Sequence, residues 1–206
     1  MTKPTSEAVV LVHGLWMRPW TWIGYQHFLD SHGYKVYTFA YRTSSQPFEF
    51  NVVRLAAFIN SRKEDIIHLV VHSMGGILAL KALPKIIKPG KLLLIGSPVN
   101  GSKVAQRLKQ LGLDKRLLKY AAKPLTEGHK QALIKRQTLM IAGDAPYGLG
   151  QFITHWNSEH DKHDGTVAVS ETQADWLDDH QIVHTSHMGL LNNPQAKQLT
   201  LEFLRQ

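Results

Sequence analysis

The chain has 206 residues, 43% of them hydrophobic and 19% charged, which suits a single globular domain spanning 1–206 with a full core. A formal net charge of +8 is compatible with an anionic partner. However, the lysines and arginines are scattered, densest from Lys103 to Lys135, and no nucleic-acid motif accompanies them, so nucleic acid is not expected and a peripheral contact with a lipid surface stays open. With no cysteine, a disulfide scaffold, a thiol nucleophile and a thiolate metal site are excluded, which fits a reducing, cytoplasmic compartment.

In chain order, the polar stretch Met1 to Glu7 runs straight into the apolar Ala8 to Val12, with no signal-peptide pattern, so export by a standard signal is not expected. Ala8 to Val12 reads as a first buried strand. Trp20 to His32 follows as a helix closed by Gly33, and Lys35 to Phe39 as a second strand. Phe48 to Ser61 carries Val52, Leu55, Ala56 and Ile59 at helical spacing. Ile66 to Val71 is the third strand, Met74 to Leu83 the helix behind it, and Lys91 to Ile95 the fourth strand. Lys103 to Ala122 is helical but strongly basic, and is read as a surface excursion. Thr138 to Ala142 is a fifth strand. Val167 to Val169 and Gln181 to His184 look like short edge segments, and Asn193 to Arg205 is a closing amphipathic helix. Strands alternating with helices predict an α/β fold, a mostly parallel sheet with helices on both faces. No insertion is long enough for a large cap domain.

The densest chemical signal is His68-Leu69-Val70-Val71-His72-Ser73-Met74-Gly75-Gly76. A buried strand ends at a serine followed by glycines, and small neighbours are needed where strand and helix backbones approach closely at a sharp turn. The helix start behind Ser73 favours developing negative charge. The usual motif has glycine two residues before the serine, where this chain has Val71, so a facing residue must be small or the turn displaced. A serine before two glycines can also be a plain cap or turn. A second signal is the first strand, whose Val9 to Val12 empties into His13-Gly14-Leu15-Trp16. The loop after such a strand can present a backbone N–H to an oxyanion, and Leu15 and Met74 are the candidate donors. His13 is read as a loop organiser.

Near the C-terminus, His187 lies in a loop before the last helix, and the order serine, acid, histidine favours it as the base over His184, which sits on the last strand. Two aspartates compete as its partner. Asp144 ends the fifth strand, whereas Asp164 stands in a tight Asp-Gly turn beside an apolar segment and is preferred. Asp175, Asp178 and Asp179 read as a solvated face. Trp16 and Met17 are candidate substrate-binding residues, with Trp22 and Ile23 assigned to core packing. The loop from Pro98 to Ser102 borders the same sheet edge. His155, Glu159, His160, Asp161 and His163 raise a metal site, but without a closed ligand set they read as a polar loop, and neither metal nor cofactor is expected.

Taken together, His13-Gly14-Leu15, His72-Ser73-Met74-Gly75-Gly76, Gly96-Ser97-Pro98, Asp164-Gly165-Thr166-Val167 and Ser186-His187-Met188-Gly189-Leu190-Leu191 occur in an order that resembles the small lipase and esterase branch of the α/β-hydrolase superfamily. The resemblance spans nearly the whole chain. In that branch the acid stands in an Asp-x-x-Val segment and the base in His-x-Gly-Leu-Leu, which implies Asp164 and His187 here. It further implies a minimal α/β-hydrolase fold and cleavage of a small-molecule carboxylic ester through an acyl-enzyme. The alternatives are a thioesterase or amidase of the same fold, or a non-catalytic binding protein. Oligomeric state is not readable.

Overall fold

The computed structural model describes residues 6–129, 136–148, 150–154 and 162–206. Six strands, β1 (Glu7–Val12), β2 (Lys35–Phe39), β3 (Ile66–His72), β4 (Leu92–Ile95), β5 (Thr138–Gly143) and β6 (Asp179–Val183), form one sheet in the order β2-β1-β3-β4-β5-β6. Every pairing is parallel. Parallel strands covered on both faces need continuous apolar runs, and β1, β3, β4 and β5 supply them, with β4 and β5 buried end to end.

The helices are α1 (Ile23–Ser31), α2 (Phe48–Asn60), α3 (Met74–Ala82), α4 (Lys103–Gln110), α5 (Asp114–Leu117), α6 (Ala122–Glu127), α7 (Gly150–Thr154), α8 (Val169–Thr172) and α9 (Pro194–Arg205). Side chains alternate across the sheet. Val10 and Val12 of β1 join Leu69 and Val71 of β3 in one apolar layer with α2 and α3, while Val9, Leu11 and Val70 join Leu29 of α1 and Phe203 of α9 in the other. Removing a fully buried leucine such as Leu11 or Leu69 would cost about 2–5 kcal/mol. In α9, Pro194 occupies the first turn and Asn193 Oδ1 accepts from the Gln195 and Ala196 amides, so the helix starts where sequence chemistry dictates. The hydroxyl of Tyr25 meets Thr200 Oγ1 at 2.7 Å and fastens α1 to α9.

Register places the site. Val12 pairs with Val71 and Phe39, so the chain leaves β1 and β3 at the same height. The order also reverses between these strands, which is where open α/β sheets bind ligands.

Several expected elements differ. Trp20 to His32 is not one helix: a 3-10 turn, Pro19–Trp22, precedes α1. The basic excursion is broken into α4, α5 and α6, with Gly112 at φ 69 ending the first. Val167 to Val169 is no edge strand. A single bridge joins Ala168 to His163, and Val169 opens α8 because Glu171 Oε2 accepts the Ala168 amide. Asp179 begins β6, and Asp178 is a clamp rather than only a solvated face, its Oδ2 accepting the Thr138 amide and hydroxyl at 2.7 and 2.8 Å. Ile23 is 53% exposed, while Trp22 is buried as expected. No helix among the described residues is long and apolar enough to cross a membrane.

Candidate active site

Ser73 stands between β3 and α3 with φ 54 and ψ −126, a backbone conformation that costs a non-glycine residue about 1–3 kcal/mol. Its amide donates to the Ile95 carbonyl at 2.9 Å and its carbonyl accepts from Gly76 at 2.9 Å, so strand β4 and helix α3 both hold the turn. Val71 is accommodated. It is fully buried in the apolar layer that holds Met74 and Ala79, and the small residues required by the turn are Gly75 and Gly76. A β-carbon on Gly75 would lie 2.7 Å from the Val12 and His13 carbonyl oxygens.

The loop after β1 lies against this serine: a β-carbon on Gly14 would sit 2.9 Å from Ser73 Cβ and 3.0 Å from Met17 Sδ. His13 organises it. Its Nδ1 donates to the Gly14 carbonyl at 3.0 Å, its ring stacks on Tyr41 at 4.5 Å, and the Tyr41 hydroxyl donates to its carbonyl at 2.8 Å. Burial, with a smaller contribution from Arg18, lowers its pKa below the ordinary histidine value, which suits a neutral structural ring. Beyond it, Trp16 has φ 58, is 62% exposed, and donates its amide to Thr43 Oγ1 at 3.0 Å. The Leu15 amide has no partner among the described residues. Met74 heads α3, so its amide is one of the first-turn donors that a helix leaves unpaired.

His187 and Asp164 meet. His187 Nδ1 donates to Asp164 Oδ2 at 2.6 Å, the imidazole 8% and the carboxylate 1% exposed. The other carboxylate oxygen accepts the Thr166 and Val167 amides at 2.9 and 2.7 Å, and the His187 amide donates to the Asp164 carbonyl at 2.8 Å. Gly165, at φ 88, supplies the left-handed turn that folds those amides back onto the carboxylate. With Nδ1–H committed to a carboxylate, Nε2 carries the lone pair. Nε2 and Ser73 Oγ make no hydrogen bond among the described residues; such bonds often form only when substrate is bound. The two residues are adjacent through His72, whose Nε2 donates to the His187 carbonyl at 3.1 Å and whose ring lies 4.5 Å from the His187 ring.

Two neighbours escaped sequence reading. Buried His72 has its pKa held well below the ordinary value by desolvation and then by His187, so it stays neutral beneath the site. Gly96, at φ 54, leaves room for His187: a β-carbon there would lie 3.2 Å from the ring. The flanking His72-Ser73 and Gly96-Ser97-Pro98 motifs were visible in the sequence, but their contacts with residue 187 were not.

The rival residues pair with each other elsewhere. His184 Nδ1 meets Asp144 Oδ1 at 2.8 Å with the imidazole 80% exposed. The loop of Pro98 to Ser102 is tied to the acid-bearing segment by the Asn100 amide donating to the Glu171 carbonyl at 3.0 Å and by Glu171 Oε1 accepting the Lys103 amide at 2.6 Å. Of the histidine- and acid-rich run, His155, Glu159, His160 and Asp161 lie outside the described residues, and His163 Nδ1 accepts the Gly165 amide at 3.1 Å. No group of three or more histidine or acidic side chains suited to a metal occurs among the described residues.

No curated protein sequence matches the chain. Its fold is similar to that of a Bacillus licheniformis lipase in mature form, at 18% identity over 99% of this chain and 94% of that chain, with a TM-score of 0.82. It is also similar to a metagenomic carboxyl esterase, at 13% identity over 98% of this chain and 76% of that one, TM-score 0.76. A third similar structure is the type II thioesterase from the borrelidin biosynthetic cluster, at 15% identity over 98% and 93% of the two chains, TM-score 0.62. At these identities the likeness concerns the fold. The family model for the alpha/beta hydrolase family matches residues 9–196, and with this strand order and sheet the chain belongs to the α/β-hydrolase family.

Proposed function

We propose that this chain is a serine hydrolase that cleaves carboxylic esters of small molecules, with Ser73 as nucleophile, His187 as base and Asp164 as the residue orienting that base. One observation carries the reading. The buried His187–Asp164 pair has both carboxylate oxygens occupied and packs on the residue next to a serine held at φ 54. Such a pair keeps the imidazole in the tautomer whose free nitrogen accepts a proton.

Ser73 Oγ attacks the ester carbonyl carbon as its proton passes to His187 Nε2. The carbonyl π pair becomes an oxyanion, stabilised by the Leu15 and Met74 amides. Collapse expels the alcohol, which takes the proton back from His187, leaving an acyl-Ser73 ester. Water, deprotonated by His187, attacks that ester and releases the acid and the free serine. Asp164 stays ionised throughout and stabilises the imidazolium. Trp16 and Met17 border the acyl or alcohol portion, since Met17 Sδ lies beside Gly14 at the serine.

A fluorophosphonate probe tests the nucleophile. The expected result is one covalent adduct per chain, on the peptide holding Ser73, and none in Ser73→Ala. Equal labelling of the two proteins, or labelling of neither, would overturn the reading. Parallel assays with p-nitrophenyl and thioester substrates of equal acyl length then rank ester against thioester.

A further inference from the structure

Two surface clefts adjoin the loop that follows β1 and continue into one another. One, of about 370 Å³, is lined by Trp16, Met17, Arg18, Arg42 and Thr43 among others. The next, of about 510 Å³, shares Arg18 and Arg42 and adds Gln46, Phe50 and Arg54. No aspartate or glutamate lines either cleft, and none of the three arginines joins an ion pair among the described residues. In a chain with 16 acidic residues, three uncompensated guanidinium groups on one cleft make a local positive field whose natural complement is an anion.

Arg54 is held by its side chain and Arg42 through its backbone. The Arg54 guanidinium lies over the Phe39 and Phe50 rings at 5.6 and 5.9 Å and reaches toward the Ala40 carbonyl. The Arg42 carbonyl accepts from the buried Asn51 side chain at 3.1 Å, and the neighbouring Thr43 hydroxyl pins the Trp16 amide. Thus the cleft is built by two loops and helix α2 fixed to one another, and for Arg54 the side-chain entropy lost on binding is reduced. Met17 lines the cleft, its Sδ accepts the Gly14 amide at 3.3 Å, and Gly14 in turn lies against Ser73.

We propose that the cleft of Arg18, Arg42 and Arg54 is a subsite for an anionic group, a carboxylate or phosphate, carried on the ester substrate, so that the preferred substrates are anionic amphiphiles. This rests on the hydrolase reading for the word substrate, but the binding of the anion does not. Trp16 and Phe50, 62% and 50% exposed, flank the arginines and receive the apolar part of such a molecule.

The test separates the two claims. Calorimetry on Ser73→Ala protein, which needs no turnover, compares octyl phosphate, octanol and inorganic phosphate. Octyl phosphate is expected to bind at least about tenfold tighter than either of the others and to weaken as salt is raised. An Arg42→Ala/Arg54→Ala double variant, verified as folded by circular dichroism, should lose that advantage, and Arg42→Lys/Arg54→Lys should retain part of it. Octanol binding as tightly as octyl phosphate, or a double variant with unchanged preference, overturns the subsite. Inorganic phosphate binding as tightly as octyl phosphate overturns its link to the substrate and leaves a free-anion site. On active protein, the ratio of kcat/KM for a p-nitrophenyl ester with a terminal carboxylate over its uncharged analogue should fall about tenfold in the double variant. If no ester turns over while octyl phosphate binding follows the arginines, the hydrolase reading fails and the anion site stands.

Discussion

Two histidine–aspartate pairs, whose histidines lie three residues apart, have nearly equal hydrogen-bond lengths and opposite surroundings. His187–Asp164, at 2.6 Å, is almost fully enclosed; His184–Asp144, at 2.8 Å, leaves its imidazole 80% exposed. An exposed ion pair contributes about 0–1 kcal/mol and is screened by salt. The enclosed pair is different in kind, because Asp164 Oδ1 is held by two backbone amides and the His187 ring rests on His72 and Gly96. A hydrogen-bond length alone therefore does not identify a working pair. The two pairs differ in how many other groups fix each atom, and the enclosed one packs on His72, the residue before Ser73.

Substitution separates the two pairs. The largest effects are expected at Ser73→Ala and His187→Ala, each lowering ester kcat by on the order of 10⁶, since such residues act as a unit. Steady-state assays with active-site titration measure this. Asp164→Asn should lower kcat by about 10⁴ with little change in melting temperature or KM, because an amide cannot hold the required tautomer. Gly96→Ala should lower kcat by about tenfold, less than the ~10²-fold of a full 1 Å misplacement, since a new methyl 3.2 Å from the His187 ring pushes it by a few tenths of an ångström and φ 54 strains the residue. Paired thermal melts and kinetics distinguish that displacement from unfolding.

A smaller effect is expected from pH. Burial raises the Glu171 carboxyl from 4.5 to about 7, so between those values the folded chain holds a proton that the unfolded chain has lost. Stability is then full below roughly pH 4.5 and falls as pH rises toward about 7, by on the order of 1–3 kcal/mol. Glu171→Gln should flatten that slope in urea titrations, whatever its effect on absolute stability. A slope unchanged in the variant would remove Glu171 as its source. The smallest effects are expected at the exposed pair, where His184→Ala and Asp144→Asn should change kcat/KM less than about twofold and stability by less than about 0.5 kcal/mol.

Much of this was legible in the sequence because local chemistry and tertiary placement agree. Val9 to Val12 and Ile66 to Val71 read as buried strands and are central ones in the sheet. Gly33 ends α1 at φ 89, as its position predicts. Where the sequence misled, a distant contact had overridden local pattern. Val167 to Val169 has strand-like residues, but the Glu171 carboxylate caps the segment into a helical turn. Ile23 follows a buried tryptophan at a position that helix α1 turns toward solvent. The exposed His184–Asp144 pair spans 40 residues, and the contact of His72 with His187 spans 115, separations that no periodicity reports. The arginine cleft was hidden for the same reason, since the loops carrying Arg18 and Arg42 are joined by contacts across 27 and 28 residues, Trp16 with Thr43 and His13 with Tyr41.

The central claim is that the enclosed pair, and not the exposed one, serves Ser73. It is tested most directly by the rate of fluorophosphonate labelling measured side by side in Asp164→Asn and Asp144→Asn proteins. Asp164→Asn is expected to label slower than wild type by a factor on the order of 10³ or more while Asp144→Asn labels at the wild-type rate. Slow labelling in Asp144→Asn with near-normal labelling in Asp164→Asn would contradict it.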